Sequence, residues 1–234
     1  MQGIKTKALK AAFPNTIPIL TGFLFVGFAY GIYMRTAGLS VIFTVLVSIT
    51  AFAGSMQFVA VSLLIGVFDP IGALILTLMV NARHLFYGVA MLEKYNIPGM
   101  KRLFLIFSMC DESFSIISLI DAPVGVDSGW FMFFISLLNY LYWAIGTALG
   151  GLFGSLITFN TKGIDFVFTA LITGLFLEQW LKEKHHYSSL IGIVLSVVSL
   201  LIFDSESFLI PAMAMIFVAL TLLRKPIEKA GAAE

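Results

Sequence analysis

Phe52-Ala53-Gly54-Ser55-Met56-Gln57 interrupts an apolar run covering residues 40–66, 27 residues in all. A helix crosses the hydrocarbon core with about 20 apolar residues. A run of this length with small and polar residues at its centre can therefore take two shapes. It crosses as one long helix, or it enters, breaks near Gly54 and returns on the side from which it came. The fold depends on which.

Composition fixes the setting. Hydrophobic residues make up 59% of the 234 and charged residues 12%, with a mean hydropathy of +1.00. Soluble domains carry about 25% charged residues. Apolar segments recur at 14–35, 40–66, 71–92, 103–120, 129–157, 164–181, 188–203 and 208–223. They are continuously apolar rather than alternating, which argues against a β-barrel. The class is an all-α polytopic membrane protein with a single transmembrane domain over residues 1–234. The first apolar run continues past Ala29 without a small-residue cleavage site, so a removable signal peptide is not expected. One cysteine, Cys110, excludes an internal disulfide and a cysteine-built metal site. A net charge of +1 without a basic tract gives no sign of nucleic-acid binding.

Charge then sets topology. Lys5/Lys7/Lys10, Lys94/Lys101/Arg102, Lys182/Lys184 and Arg224/Lys225/Lys229 are expected on the cytoplasmic side. The joints Asp121–Asp127 and Asp204–Glu206 lack Lys and Arg and are expected outside. Eight simple crossings cannot satisfy both. The conflict disappears if 40–66 is re-entrant and 164–181, with Thr169, Thr173 and Gly174, is its counterpart. About six crossings and two re-entrant or broken elements result, in inverted repeats 12–121 and 129–224, with both termini cytoplasmic. Gly27-Phe28-Ala29-Tyr30-Gly31 against Ala144-Ile145-Gly146-Thr147-Ala148 is a weak internal similarity of the kind such repeats leave.

Two polar constellations lie at membrane depth. Non-helical backbone survives there only inside protein or beside water, so Gly54, Ser55 and Gln57 mark a candidate cavity. Half-helix ends in it would offer N–H groups to a carboxylate and C=O groups to an ammonium. Alternatively, Gly54 and Ser55 let two helices approach closely. The second constellation is Asn81-Ala82-Arg83-His84, inside 71–92, together with Asp111-Glu112, inside 103–120. Counting from Leu92 to Arg83 and from Leu103 to Glu112 gives nine residues each, so antiparallel neighbours would put these groups at one level. Pairing Arg83 with one carboxylate would leave the second beside His84, suited to carrying a proton. A purely structural tie between two helices is the alternative. His185-His186 lacks further ligands for a metal.

The residues quoted for these constellations, with Phe58-Val59-Ala60, Leu85, Ser113-Phe114 and Trp143-Ala144-Ile145-Gly146-Thr147, resemble the AzlC family in order and spacing. The resemblance runs from about Ala12 to the C-terminus. It implies branched-chain amino acid transport, typically export, and a small membrane partner subunit of the AzlD type. It does not imply which residues bind.

The expected function is thus secondary transport of branched-chain or related apolar amino acids out across the cytoplasmic membrane. Gly54, Ser55, Gln57, Asn81, Thr169 and Thr173 are the candidates for substrate binding. Arg83, His84, Asp111 and Glu112 are the candidates for proton coupling. No cofactor or metal is expected. Without G-x-x-x-x-G-K no ATP is hydrolysed, and without H-E-x-x-H or a nucleophile–base set no enzyme is indicated. A channel subunit and a structural subunit are the rivals.

Overall fold

A computed structural model describes residues 2–156, 173, 176–177, 180–181, 186–203 and 208–232. The chain divides into two compact units, Met1–Ala73 with His84–Leu171, and Leu74–Arg83 with Ile172–Glu234. The described residues are helical: α1 (Gln2–Thr36), α2 (Val41–Ala51), α3 (Gly54–Ile65), α4 (Pro70–Val80), α5 (Arg83–Ala90), α6 (Met100–Phe107), α7 (Asp111–Leu119), α8 (Ser128–Phe153), α9 (Tyr187–Ile202) and α10 (Leu209–Ala232). Two of them, α1 and α8, are long and apolar enough to cross a membrane, and a third span results if α4 and α5 count as one broken helix.

The first unit is built on α1 and α8, which touch backbone to backbone. A Cβ on Gly27 would lie 3.0 Å from Trp143 O, and one on Gly146 would lie 2.9 Å from Leu24 O. A Cβ on Gly31 would run into the Thr147 and Gly151 backbone, and one on Gly150 into Phe28 O. Glycine every fourth residue on both helices, Gly27/Gly31 and Gly146/Gly150, is what permits the approach. The contacts rise together, from Leu24 with Gly146 to Phe28 with Gly150 and Arg35 with Gly154, so α1 and α8 run in the same direction.

Each end of this pair receives a helical hairpin. α2 starts with Val41 against Gly151 and descends until the Tyr140 hydroxyl donates to Ile49 O at 2.9 Å. The chain turns at Phe52-Ala53, and α3 goes back, from Gly54 beside Trp143 to Phe58 against Tyr30 and Tyr33. The 40–66 segment therefore enters and returns. Phe52 makes the turn with φ 40°, a left-handed conformation costly for a bulky residue. Burial and the Tyr140 ring at 4.9 Å hold it there. From the opposite end, α6 runs from Lys101 beside Trp130 to Phe107 against Tyr140; α7 returns from Cys110 to Asp121.

That second hairpin corrects the charge-based topology. Residues 103–120 form the short helices α6 and α7, which fold back, rather than one helix of spanning length. Lys94 Nζ donates to Asp121 Oδ1 at 2.9 Å, and Lys101 lies 3.8 Å from Asp127. Lys5 and Lys101 both sit over the Trp130 ring, at 4.5 and 4.6 Å. The Asp121–Asp127 joint is therefore at the same end as the lysine-bearing joints, not the opposite one. Acidic residues carry little weight in setting orientation, and these neutralise lysines of a neighbouring joint. α1 and α8, running the same way, are not each other's inverted counterparts. The 71–92 segment is also broken, at Asn81-Ala82, into α4 and α5.

The hairpins have separate cores. Met91, Tyr95, Leu105, Met109, Ile116 and Ile117 pack with Ala12, Phe131, Met132 and Ile135 around α6–α7. Phe52, Phe58 and Val61 pack with Phe23, Val26, Tyr30, Met34, Tyr142 and Trp143 around α2–α3. In the second unit α9 packs on α10, and Ser199 Oγ donates to Phe208 O at 2.8 Å. His186 stacks on Trp180 with ring centroids 4.0 Å apart. The proposed re-entrant 164–181 segment lies mostly outside the described residues.

Candidate functional site

The two hairpin tips meet α8 at mid-length, on successive turns. Trp143 Nε1 donates to Gln57 Oε1 at 2.8 Å, and Gln57 Nε2 donates to Ser48 Oγ at 3.3 Å. One turn earlier, Asn139 Nδ2 donates to Ser113 Oγ at 3.0 Å in the first turn of α7. Tyr140 touches both tips, with Phe52 on one side and Phe107 on the other. Cys110, at the start of α7, packs against the α2–α3 core and donates to Ser113 Oγ at 3.3 Å.

Two helices therefore begin inside the unit, α3 at Gly54 and α7 at Asp111. The first N–H groups of a helix lack intrahelical partners. Ser40, Asp69 and Asp127 supply side-chain caps to α2, α4 and α8. Ala53 and Cys110 supply none to α3 and α7. The two starts differ in charge. No acidic residue stands in the first turn of α3, whereas Asp111 and Glu112 form the first turn of α7. A helix N-terminus favours anions, so α3 presents a positive end with no acidic residue in its first turn and α7 a carboxylate-bearing one.

The candidate residues are distributed as follows. Gly54, Ser55 and Gln57 lie together at the α3 tip, with Gln57 1% exposed. Gly54 faces the Trp143 ring, 3.5 Å from where its Cβ would be. Asp111 and Glu112 are half-buried at the α7 tip. His84 packs edge-on to Tyr87 at 5.5 Å; the Tyr87 hydroxyl donates to Asp111 Oδ1 at 2.9 Å, and its ring stacks on Phe114. His84 and Asp111 are thus joined through Tyr87. Asn81 and Arg83 are half-buried and fall in the second unit, as does Thr173, which is helical and exposed. Thr169 lies outside the described residues. The depth count assumed continuous helices, but both break where the polar residues stand, so equal spacing along the sequence does not carry over.

Sequence reasoning assigned none of Ser48, Tyr87, Asn139, Tyr140 and Trp143 to the site. Asn139 was the available signal: an amide within the apolar 129–157 run, four residues before Trp143. Among the described residues, no three His, Cys, Asp or Glu side chains group to hold a metal.

The family model described as AzlC protein matches residues 18–157, more than half of the chain. The chain belongs to the AzlC family. The matched AzlC region contains both hairpins, α1 from Pro18 onward and all of α8. The chain is 59% identical to the branched-chain amino acid transport protein AzlC of Bacillus subtilis, over 95% of this chain and 88% of that one. It is 47% identical to an uncharacterized membrane protein of Haemophilus influenzae, over 93% and 89%. It is 23% identical to the inner membrane protein YgaZ of Escherichia coli, over 75% and 73%. No solved structure matches.

Proposed function

We propose that this chain is a secondary transporter that exports branched-chain or related apolar amino acids across the cytoplasmic membrane. The observation that carries it is the pair of uncapped helix starts meeting at the middle of α8. Discontinuous helices at mid-depth are a recurring way to hold a polar solute in a membrane. The name of the Bacillus subtilis relative supports the substrate class. Gly54, Ser55 and Gln57 bind substrate, with Asn81, Thr169 and Thr173 contributing from elsewhere in the chain. Proton coupling runs through Asp111 and Glu112, with His84 reaching Asp111 by way of Tyr87 and Arg83 supplying counter-charge. Lys5, Lys94 and Lys101 gathered at one end favour a cytoplasmic face there, and the charges of Arg224, Lys225 and Lys229 favour a cytoplasmic C-terminus by the same rule. A small AzlD-type subunit completes the complex.

The test is counterflow of labelled leucine, valine, isoleucine and methionine in proteoliposomes, with and without a co-expressed small hydrophobic subunit. Saturable exchange is expected. Conductance in planar bilayers without counterflow would favour a channel instead. For coupling, Glu112→Gln or Asp111→Asn should abolish flux driven by a pH gradient while sparing exchange. Equal loss of both would count against the coupling role.

A further inference from the structure

Resting on the transport of amino acids proposed above, we infer that the zwitterion lies along α8 with a defined polarity. Its carboxylate is held at the α3 tip and its ammonium at the α7 tip, with Tyr30 and Asn139 as additional contacts. The two tips have opposite local charge: an uncapped start with no acid in its first turn, and one bearing Asp111 and Glu112. Their α8 contacts, Asn139 and Trp143, are four residues apart, or about 6 Å along the axis. That is the scale of the two charged groups of a free amino acid with their hydrogen-bond partners.

A second, independent observation gives the same polarity. Asn139 is completely buried; its amide nitrogen is engaged by Ser113 of the α7 first turn, while its Oδ1 has no partner among the described residues. Tyr30 is completely buried, its ring stacked on Trp143 and against Phe58 of α3, and its hydroxyl has no partner among the described residues. Buried polar atoms are nearly always satisfied, so each such orphan calls for an explanation. Oδ1 of an amide only accepts, which suits an ammonium; a phenol can donate, which suits a carboxylate. The acceptor stands at the acidic tip. The donor stands against the helix whose start is positive. Phe52, Phe107 and Tyr140 at the tips supply apolar surface for the side chain.

Two fragments of leucine separate the ends. 3-Methylbutylamine keeps the ammonium and 4-methylpentanoate keeps the carboxylate, and each is tested as an inhibitor of labelled leucine counterflow in proteoliposomes. Asn139→Leu should weaken inhibition by the amine about tenfold, the scale of one hydrogen bond to a charged group, and leave the acid unaffected. Tyr30→Phe should do the reverse. Asn139→Asp adds a negative charge without changing shape and should strengthen inhibition by the amine several-fold, which keeps the test open if Asn139→Leu does not fold. Equal changes for both fragments, or an unaltered response in Asn139→Asp, overturn the polarity. Absence of leucine counterflow in the unaltered protein, with and without the small subunit, overturns the transport function itself.

Discussion

Asn139 and Trp143 stand one turn apart on α8, and each holds a different hairpin: Asn139 binds Ser113 of α7, and Trp143 binds Gln57 of α3. One helix thereby sets the spacing of two helix starts that reach it from opposite ends. Both side chains are buried, so neither bond can be exchanged for water without exposing the tips.

Trp143→Phe keeps the ring and removes the donor. Gln57 Oε1 is then buried without its partner, at a cost of about 1–3 kcal/mol. A lower unfolding temperature in detergent is expected. Adding Gln57→Leu should recover most of that loss, because an apolar pair leaves no orphan, while transport stays impaired. Full recovery of transport by the double variant would remove Gln57 from the binding site.

The α1–α8 seam predicts an asymmetry among glycines. Gly150→Ala places a methyl group against Phe28 O and should lower stability by several kcal/mol or prevent folding. Gly22→Ala lies on the same long helix with nothing within 4 Å of its Cβ. It should be neutral or stabilise by up to about 1 kcal/mol. Thermal unfolding of the two purified variants reads the contrast directly.

Lys94 closes the far end of α7. Its Nζ donates to Ile117 O at 2.8 Å and Ser118 O at 3.2 Å, as well as to Asp121. Asp121 is 89% exposed, and a pair that open contributes little. The carbonyl contacts matter more. Lys94→Met should therefore increase protease cleavage near 118–122, whereas Asp121→Asn should leave it unchanged. The opposite ranking would mean the ion pair anchors the hairpin.

Topology is open to labelling. With Cys110 replaced by serine, single cysteines at Asn96 and Val124 should react with an impermeant maleimide from the same side of the membrane. A cysteine at Phe68 should react from the other. Labelling of 96 and 124 from opposite sides would restore 103–120 as a crossing.

The first re-entrant hairpin was legible because its break is written locally: Gly54, Ser55 and Gln57 are out of place in an apolar run. The second was not. Asp111 and Glu112 were visible, but the decisive fact is a pairing between joints, Lys94 with Asp121, and linear charge counts cannot see which loops share an end. Gly27-Phe28-Ala29-Tyr30-Gly31 and Ala144-Ile145-Gly146-Thr147-Ala148 were set side by side as a likeness that left Gly150 out. The role of Gly27, Gly31, Gly146 and Gly150 is contact, which a likeness between segments does not reveal. Asn139 escaped because one amide in 26 helical residues looks incidental until its partner is known.

The glycine seam also divides the molecule by mobility. Two backbones in direct contact can neither rotate nor slide past one another without collision, because no side-chain layer exists to repack. α1 and α8 therefore form a stator. In the transport proposed above, exposing the site to one face and then the other falls to the hairpins, tied to the stator's midpoint through side chains of α8: Asn139 to Ser113 on one, Trp143 to Gln57 and Tyr140 to Ile49 O on the other. Tyr140 touches both tips and Cys110 packs against the α2–α3 core, so in such a machine a movement of one hairpin is felt by the other.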